Sequence, residues 1–582
     1  VPEAIVIFPQ PNNTMPTIAD YTRPLFHRER NPSKPNIVFL MADQLRYDCI
    51  AALGAKWMQT PTMDRLVHEG CAFAQATTPA PICVPARHHL ITGLTSRYTG
   101  IASMSHPPIP SEYPRIAEVL AGQGYHCEAV GKMHFGPERT HHGFHRMQIM
   151  EETPIYEADD DYLRWLRSNG YDHIRNHHGV RNLIYSQPQR SLVPAVATGT
   201  AWVGREAARV VKENFNRPFF LFASWIAPHP PQNCPDEWAD LYRDAGLPEP
   251  TPCSDTETYK LRYCQRPGRD LSPAAMRRYR ELYYAQVSFV DQAMGEVVRA
   301  LEEIGQLDNT LICLFSDHGE MLGDQGGAME KGIPHEASVR IPLVLRYPAK
   351  FAPGSRREDC ADLLDLFPTV LETAGAALPT GIDYRGESLL KPSGESTRDR
   401  SEVYIECYND AYRWIALRGP RYKLAYWYLK GIEEFYDLAH DPGETHNLLN
   451  DPLNAEHQRE YERLKARLIA EEIRCGPDGG VENGTLRRYE EIASIWPPEE
   501  RAAGINWQFQ AWPNQLPENE KAALNSEAEE VFAAIAKEPL TDLSRLDLDF
   551  YEDAGGDPDV RDALKEKEQA GPRTSTGDNS KP

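Results

Sequence analysis

Seven residues, Asn36 to Ala42, read Asn-Ile-Val-Phe-Leu-Met-Ala without a charge and stop abruptly at Asp43. A half-exposed strand alternates apolar and polar residues, so an unbroken apolar run of strand length predicts a strand covered on both faces. Similar runs recur at Tyr125 to Gly131, Pro218 to Ala227, Thr310 to Phe315 and Pro342 to Tyr347. Helical patterns lie between them at 113–123, 276–304 and 362–375. In 276–304, Leu282, Phe289, Val290, Val297, Leu301 and Ile304 fall at near-helical spacing, which predicts a core-facing amphipathic helix. Strands alternating with helices predict an α/β fold, a large and mostly parallel central sheet flanked by helices. Residues just after each apolar run then stand at carboxyl ends of strands, where open sheets gather ligands.

The rest of the chain divides by pattern. Residues 1–35 are proline-bearing and aperiodic, an N-terminal arm; 36–394 form the large α/β unit. Over 395–475 the pattern changes to short strands (402–408, 413–418, 422–428, 433–438) and a charged helix near 455–474, a smaller α+β domain packed on the large sheet. Residues 476–582 exceed what that domain needs and are read as an arm reaching a neighbouring subunit, so a homo-oligomer is expected. Lys and Arg number 62 against 85 Asp and Glu, a net charge of −23 that argues against nucleic acid and anionic membranes as partners. No window reaches the length of a membrane span. The eleven cysteines lack any close pairing and read as buried free thiols of a cytoplasmic protein, with nothing to support export.

The sharpest local signal is Pro81-Ile-Cys83-Val-Pro85-Ala-Arg87-His-His-Leu90-Ile-Thr-Gly93. Five further blocks follow the same order as the strand ends. They are Asp43-Gln44; Gly131-Lys132-Met-His134-Phe-Gly136; Pro228-His229-Pro-Pro231; Ser316-Asp317-His318-Gly319-Glu320; and Lys331 with Glu336 and Arg340. Farther on stand Phe435-Tyr436-Asp437-Leu438, Asp441-Pro-x-Glu444 and Asn447-Leu448. Together, from about Asn36 to Leu448, these resemble the type I sulfatases of the alkaline phosphatase superfamily, near the branch that holds arylsulfatases and phosphonate monoester hydrolases.

The resemblance implies an alkaline-phosphatase-like fold and hydrolysis of sulfate monoesters, with a small anionic ester as substrate. It implies that Cys83 is converted to formylglycine by a formylglycine-generating enzyme, and that Asp43, Gln44, Asp317, His318 and the residue made from Cys83 hold one divalent metal ion. The hydrated aldehyde then attacks sulfur and gives a covalent sulfo-enzyme intermediate. Arg87 stabilises the nucleophilic oxygen, Lys132 and Lys331 bind sulfate oxygens, His229 with Lys331 protonates the leaving oxygen, and His134 removes a proton to expel sulfate. Two departures from the commonest pattern matter. Gln44 and His318 look like the phosphonate monoester hydrolase branch, and an imidazole ligand favours Mn²⁺ slightly over Ca²⁺. Lys132 and His134 pull back toward sulfate esters, leaving phosphonate monoester or phosphodiester hydrolysis as the alternative.

Other polar clusters receive plain readings. His141, His142, His145, His177 and His178 have no matching carboxylate and are not expected to bind metal; His88 and His89 are expected to pack their helix. Trp225, Tyr426, Trp427 and Tyr428 read as core. Specificity for the alcohol part is assigned to the loops 141–200 and 232–275 over the strand ends.

Overall fold

The computed structural model describes residues 34–489, apart from 103, 105–108, 137, 153, 155–156, 175–176, 180–187, 244, 254–272, 393–394, 396–399, 408–412 and 477–478. The expected N-terminal arm and most of the 476–582 extension lie outside the described residues.

The run that opens the sheet is strand β1, Asn36–Ala42, buried along its whole length. Its alternate residues serve two different cores. Val38, Leu40 and Ala42 join one apolar cluster, and Ile37, Phe39 and Met41 join another on the opposite face. This is why the run has no polar period: both faces are covered. The strands that follow in the same sheet are β2 (Cys71–Thr77), β3 (His126–Gly131), β4 (Arg146–Ile149), β5 (Phe219–Trp225), β6 (Thr310–Ser316), β7 (Leu343–Arg346) and β8 (Ser355–Asp362). Their spatial order is β8-β2-β7-β6-β1-β5-β3-β4. All neighbours pair in parallel except those of β7, which runs antiparallel between β2 and β6. The Pro342–Tyr347 run is therefore a strand, but the one reversed member of a mostly parallel sheet. Edge-to-face contacts of Phe39 with Phe220, Phe222 and Phe315, at 5.2, 5.6 and 5.2 Å, lock β1, β5 and β6 together.

Helices cover the faces. On one side lie α2 (Cys83–Thr92), α3 (Ile116–Gly122) and α6 (Leu366–Ala374); on the other α1 (Pro61–Glu69), α4 (Gly199–Glu213) and the 31-residue α5 (Pro273–Glu303). Helices α4 and α5 approach closely at Gly204, where a Cβ would stand 2.9 Å from the Ala293 carbonyl oxygen. The helical pattern expected over 362–375 is a 3-10 turn at Leu363–Asp365 followed by α6, with the Asp362 carboxylate accepting the Leu364 N–H at 2.8 Å.

The second sheet is an antiparallel meander of β9 (Val403–Cys407), β10 (Trp414–Arg418), β11 (Tyr422–Trp427) and β12 (Ile432–Asp437). Helix α7 (Ala455–Cys475) packs on it through Leu464 and Leu468 and is capped by Asn454, whose Oδ1 accepts the N–H groups of Glu456 and His457. This sheet grips the loop that follows Lys331. Trp414 Nε1 donates to the Gly332 carbonyl at 2.8 Å and Lys423 Nζ to that of Pro334 at 2.6 Å. Arg418 and Lys423 both pair with Glu336, while Glu444 accepts the Glu336 N–H at 2.6 Å. The first residues of the C-terminal extension fold back on their own chain, Tyr489 N–H donating to the Tyr428 carbonyl at 2.9 Å.

Among the described residues no helix is long and apolar enough to cross a membrane, and the ten described cysteines are free thiols. The aromatic residues Trp225, Tyr426, Trp427 and Tyr428 are core, as expected.

Glu406 on β9 is buried where the two sheets meet; Oε1 accepts the Ser96 N–H at 3.2 Å, and Oε2 has no hydrogen-bond partner. Burial, opposed by the Ser96 bonds and reinforced by Glu472, pushes its carboxyl up to about 7. The folded state thus holds this proton more tightly than the unfolded chain, so stability falls as pH rises through the interval from the ordinary carboxyl range to about 7. Glu406→Gln removes that loss, worth up to about 3 kcal/mol. Thermal unfolding at about pH 5 and about pH 8 is expected to show a smaller drop in Tm for the variant. Equal drops would show that Glu406 does not titrate in this range.

Candidate active site

The carboxyl ends of β1, β3, β5 and β6 converge on the start of α2. Beyond β1, Asp43 still donates its N–H to the Trp225 carbonyl at 3.0 Å, and the chain then turns at Gln44 in the left-handed region, φ 66°. Ser316, the last residue of β6, ties the two strand ends: its hydroxyl lies 2.8 Å from the Ala42 carbonyl and accepts the Leu45 N–H at 2.8 Å. Asp317 and His318 follow. Asp317 Oδ1 accepts the N–H groups of Gln44 and His318, both at 3.0 Å, so its carboxylate has a fixed orientation.

Helix α2 supplies the centre. Cys83 is its first residue, and Arg87, four positions on, projects from the same face. Pro85 sits in the first turn, where a missing N–H costs no intrahelical bond. The Cys-x-Pro-x-Arg spacing is thus a local device that aims a thiol and a guanidinium into one pocket. Arg87 is fully buried and spends its fork on four acceptors. Nε meets Asp317 Oδ2 at 3.0 Å, Nη2 meets Asp43 Oδ2 at 3.0 Å, and Nη1 meets the Lys132 carbonyl and Ser224 Oγ at 2.6 and 3.0 Å.

Around Cys83 the ligand atoms of Asp43, Asp317 and His318 all lie within 4.8 Å of one another and of the sulfur. Sγ is 3.1 Å from His318 Nε2 and 3.8 Å from Asp43 Oδ1. His318 Nδ1 lies 3.0 Å from the Gly319 carbonyl, which can only accept, so Nδ1 carries the proton and Nε2 turns its lone pair toward the cluster. Two carboxylates and an imidazole lone pair suit a divalent cation. Gln44 stands beside this set: Nε2 donates to Glu320, and Oε1 accepts Lys331 Nζ at 2.8 Å with a second lone pair to spare. Burial opposes the charge on Asp43, but the Lys132 and Arg87 cations hold its carboxyl well below the usual range. Burial, then Asp43, pushes the Cys83 thiol up to about 11. Burial likewise depresses His318 below an ordinary imidazole.

The cations enter from β3 and from two loops. Gly131 ends β3 at φ 96° with its missing Cβ only 1.9 Å from the Ser224 carbonyl oxygen, a place no side chain fits. Lys132 follows, fully buried, with Nζ on Asp43 Oδ2 and Glu152 Oε1. His134 is held at φ 59° because the Glu151 carboxylate accepts the N–H groups of Met133 and His134 at 3.0 and 2.7 Å. From the loop after β5, His229 places Nδ1 at 2.6 Å from the Pro230 carbonyl and Nε2 at 2.8 Å from Lys331 Nζ. Lys331 is only half-buried, whereas Asp43, Gln44, Arg87, Lys132, Asp317 and His318 are fully enclosed, so the pocket opens on the Lys331 side.

Every residue expected at the site is therefore in one cluster. Three carboxylates there were not assigned from sequence. Glu320 fixes the Gln44 amide, and it stands inside the Ser316–Glu320 block that marked the strand end. Glu151 pins the His134 loop. Glu152 lies against Lys132 and 3.6 Å from His229 Nε2. These last two follow β4, a four-residue strand too short to stand out as a pattern. His88 packs inside its helix as expected, Nδ1 being 2.7 Å from the Val84 carbonyl, and His142 packs edge-on to Phe135. None of the five outlying histidines joins a metal-sized cluster among the described residues.

A family profile described as Sulfatase matches residues 35–376, and one described as N-sulphoglucosamine sulphohydrolase, C-terminal, matches 324–472. An arylsulfatase of Clostridium perfringens is 30% identical over 504 residues, covering 79% of this chain and 99% of its own. A choline-sulfatase of Rhizobium meliloti is 28% identical over 437 residues, covering 72% and 83%. The solved phosphonate monoester hydrolase of Agrobacterium radiobacter shares the fold, with a TM-score of 0.65 at 24% identity over 75% of this chain and 96% of that one.

Proposed function

Because the chain belongs to the sulfatase family and is a sulfuric ester hydrolase, we propose that it cleaves aryl or alkyl sulfate monoesters at the Cys83 site, with a divalent ion held by Asp43, Gln44, Asp317 and His318. The observation that carries the reading is a cysteine at a helix start facing two carboxylates and an imidazole lone pair, with Arg87 one turn below it. Once Cys83 has been converted to formylglycine by a maturation enzyme, its hydrated aldehyde supplies an oxygen nucleophile and the ion supplies Lewis-acid stabilisation of charge. The imidazole in the donor set favours Mn²⁺ over Ca²⁺.

The remaining residues divide the work by charge and position. Arg87 holds Asp43 and Asp317 in register, and its cation offsets one of their two charges. Lys132 and Lys331 approach from opposite loops and bind the sulfate oxygens. His229 receives a proton from its 2.8 Å partner Lys331 at Nε2 and passes it to the departing oxygen. His134, held beside Cys83, takes up the proton released as sulfate is expelled.

A second reading, phosphonate monoester hydrolysis with the same residues, is favoured by the pair Gln44 and His318. Parallel kinetics on 4-nitrophenyl sulfate and 4-nitrophenyl phenylphosphonate distinguish the two, and the sulfatase reading expects the larger kcat/KM on the sulfate. The same assay on His229→Ala checks the proton donor. Its loss is expected to cost on the order of 10²–10⁴ in kcat for an alkyl sulfate and far less for 4-nitrophenyl sulfate, whose leaving group needs little help. Equal losses on both esters would remove His229 from that role.

A further inference from the structure

A cavity lies beside His229, with about 530 Å³ of empty space, part of it open to solvent. Met150, His177, Ile226, Gln286 and Phe289 are among its walls, which include no Asp, Glu, Lys or Arg among the described residues. His229 belongs both to this cavity and to the catalytic cluster, where its Nε2 meets Lys331. The walls come from the end of β4, the loop after β5, the starts of α4 and the middle of α5, so the cavity sits over the same strand ends as the site.

Gln286 and Phe289 stand three positions apart on α5 and share a face. Phe289 is stacked on Trp238 at 5.0 Å, which makes it a stiff apolar wall. Gln286 is over nine-tenths buried. Its Nε2 reaches the Pro231 carbonyl at 3.4 Å, but its Oε1 is buried with no hydrogen-bond partner. A buried amide oxygen without a donor is costly and uncommon, and it points to a group that arrives from outside.

We propose that this cavity receives the alcohol part of the ester, and that it selects an uncharged ring carrying a hydrogen-bond donor that meets Gln286 Oε1. The proposal rests on the sulfatase reading. An ester seated with its leaving oxygen at His229 would direct its alcohol part into the cavity that His229 lines. The described walls hold no Asp, Glu, Lys or Arg to balance a carboxylate or a quaternary ammonium group, so an ionic alcohol part is disfavoured. A phenol with a second hydroxyl fits the apolar wall and, with a rotation of the Gln286 side chain toward the cavity, meets its unpaired amide oxygen.

The test is kcat/KM for phenyl sulfate, its three hydroxyphenyl isomers and a carboxyphenyl sulfate. In the unmodified enzyme the best hydroxyphenyl isomer is expected to exceed phenyl sulfate by about ten- to a hundred-fold, and the carboxylate to fall below both. In Gln286→Leu, and in Gln286→Met as a second variant of similar volume, the hydroxyphenyl-to-phenyl ratio is expected to drop to near one. A ratio cancels any general loss of folded enzyme. A ratio near one in the unmodified enzyme, or one kept by both variants, would overturn the assignment. If no aryl sulfate of the panel is turned over while an alkyl sulfate is, this proposal falls alone; if neither is turned over, the sulfate monoester reading at the Cys83 site falls with it.

Discussion

Cys83→Ala is expected to lose at least about 10⁴ in kcat, and Cys83→Ser to release no more than one phenol per enzyme before stopping. The difference between these two outcomes follows from chemistry. Alanine leaves no nucleophile. A serine hydroxyl could attack sulfur once, but the resulting sulfate ester of serine would need water to attack sulfur again. An aldehyde hydrate carries a second hydroxyl on the same carbon, so sulfate leaves by C–O cleavage and the aldehyde returns. Neither change is expected to disturb the fold much, because the side chain is small and the removed volume costs roughly 1 kcal/mol. Burst kinetics at high enzyme concentration and intact-mass analysis of the peptide carrying Cys83 check both halves. A fully active preparation in which that peptide is wholly thiol would defeat the mechanism, and sustained turnover by the serine variant would do the same.

What could be read from sequence was what is written locally. The Asn36–Ala42 run announced a doubly covered strand because both faces of β1 are core, and the abrupt change at Asp43 marked the strand end. The Cys83, Pro85 and Arg87 spacing was legible because one helical turn alone sets it. Strands β2 and β8 were not legible. Strand β2 contains Gln75 amid alanines, and β8, Ser-Arg-Arg-Glu-Asp-Cys-Ala-Asp, is an edge strand whose first half faces water, as charged edges commonly do. Glu151, Glu152 and Glu320 stayed hidden for another reason. Each acts on a partner that only tertiary structure brings near, such as Lys132 for Glu152. The same holds for the C-terminal signature residue Glu444, whose purpose is visible only in its bonds to Lys423 and to the Glu336 N–H, where the small sheet fixes the Lys331 loop. Net charge misleads in the same way, since −23 describes the whole chain, whereas Arg87, Lys132 and Lys331 crowd one pocket.

Arg87→Met is expected to damage folding and turnover together, and a divalent ion to restore only the first. The guanidinium is fully buried and is a partner of both Asp43 and Asp317. Removing it leaves two fully buried carboxylates short of a countercharge, a defect that costs about 3–5 kcal/mol when one partner of a buried pair is lost. A divalent cation bound between the same carboxylates supplies that missing charge. Mn²⁺ should therefore raise Tm by more in Arg87→Met than in the unmodified protein, each measured against a chelator-treated control. Turnover should stay depressed by a factor of 10³ or so even with saturating metal, because the ion cannot also donate to the Lys132 carbonyl and Ser224 Oγ, the bonds that fix the Lys132 loop against β5. Arg87→Lys separates charge from shape: an ammonium keeps the charge but cannot span four acceptors, so it should recover part of the stability and little of the rate. If Arg87→Met matches the unmodified protein in Tm after chelation, the buried pairing contributes no net stability. If Arg87→Lys restores full turnover, charge alone suffices and the planar fork has no part in catalysis.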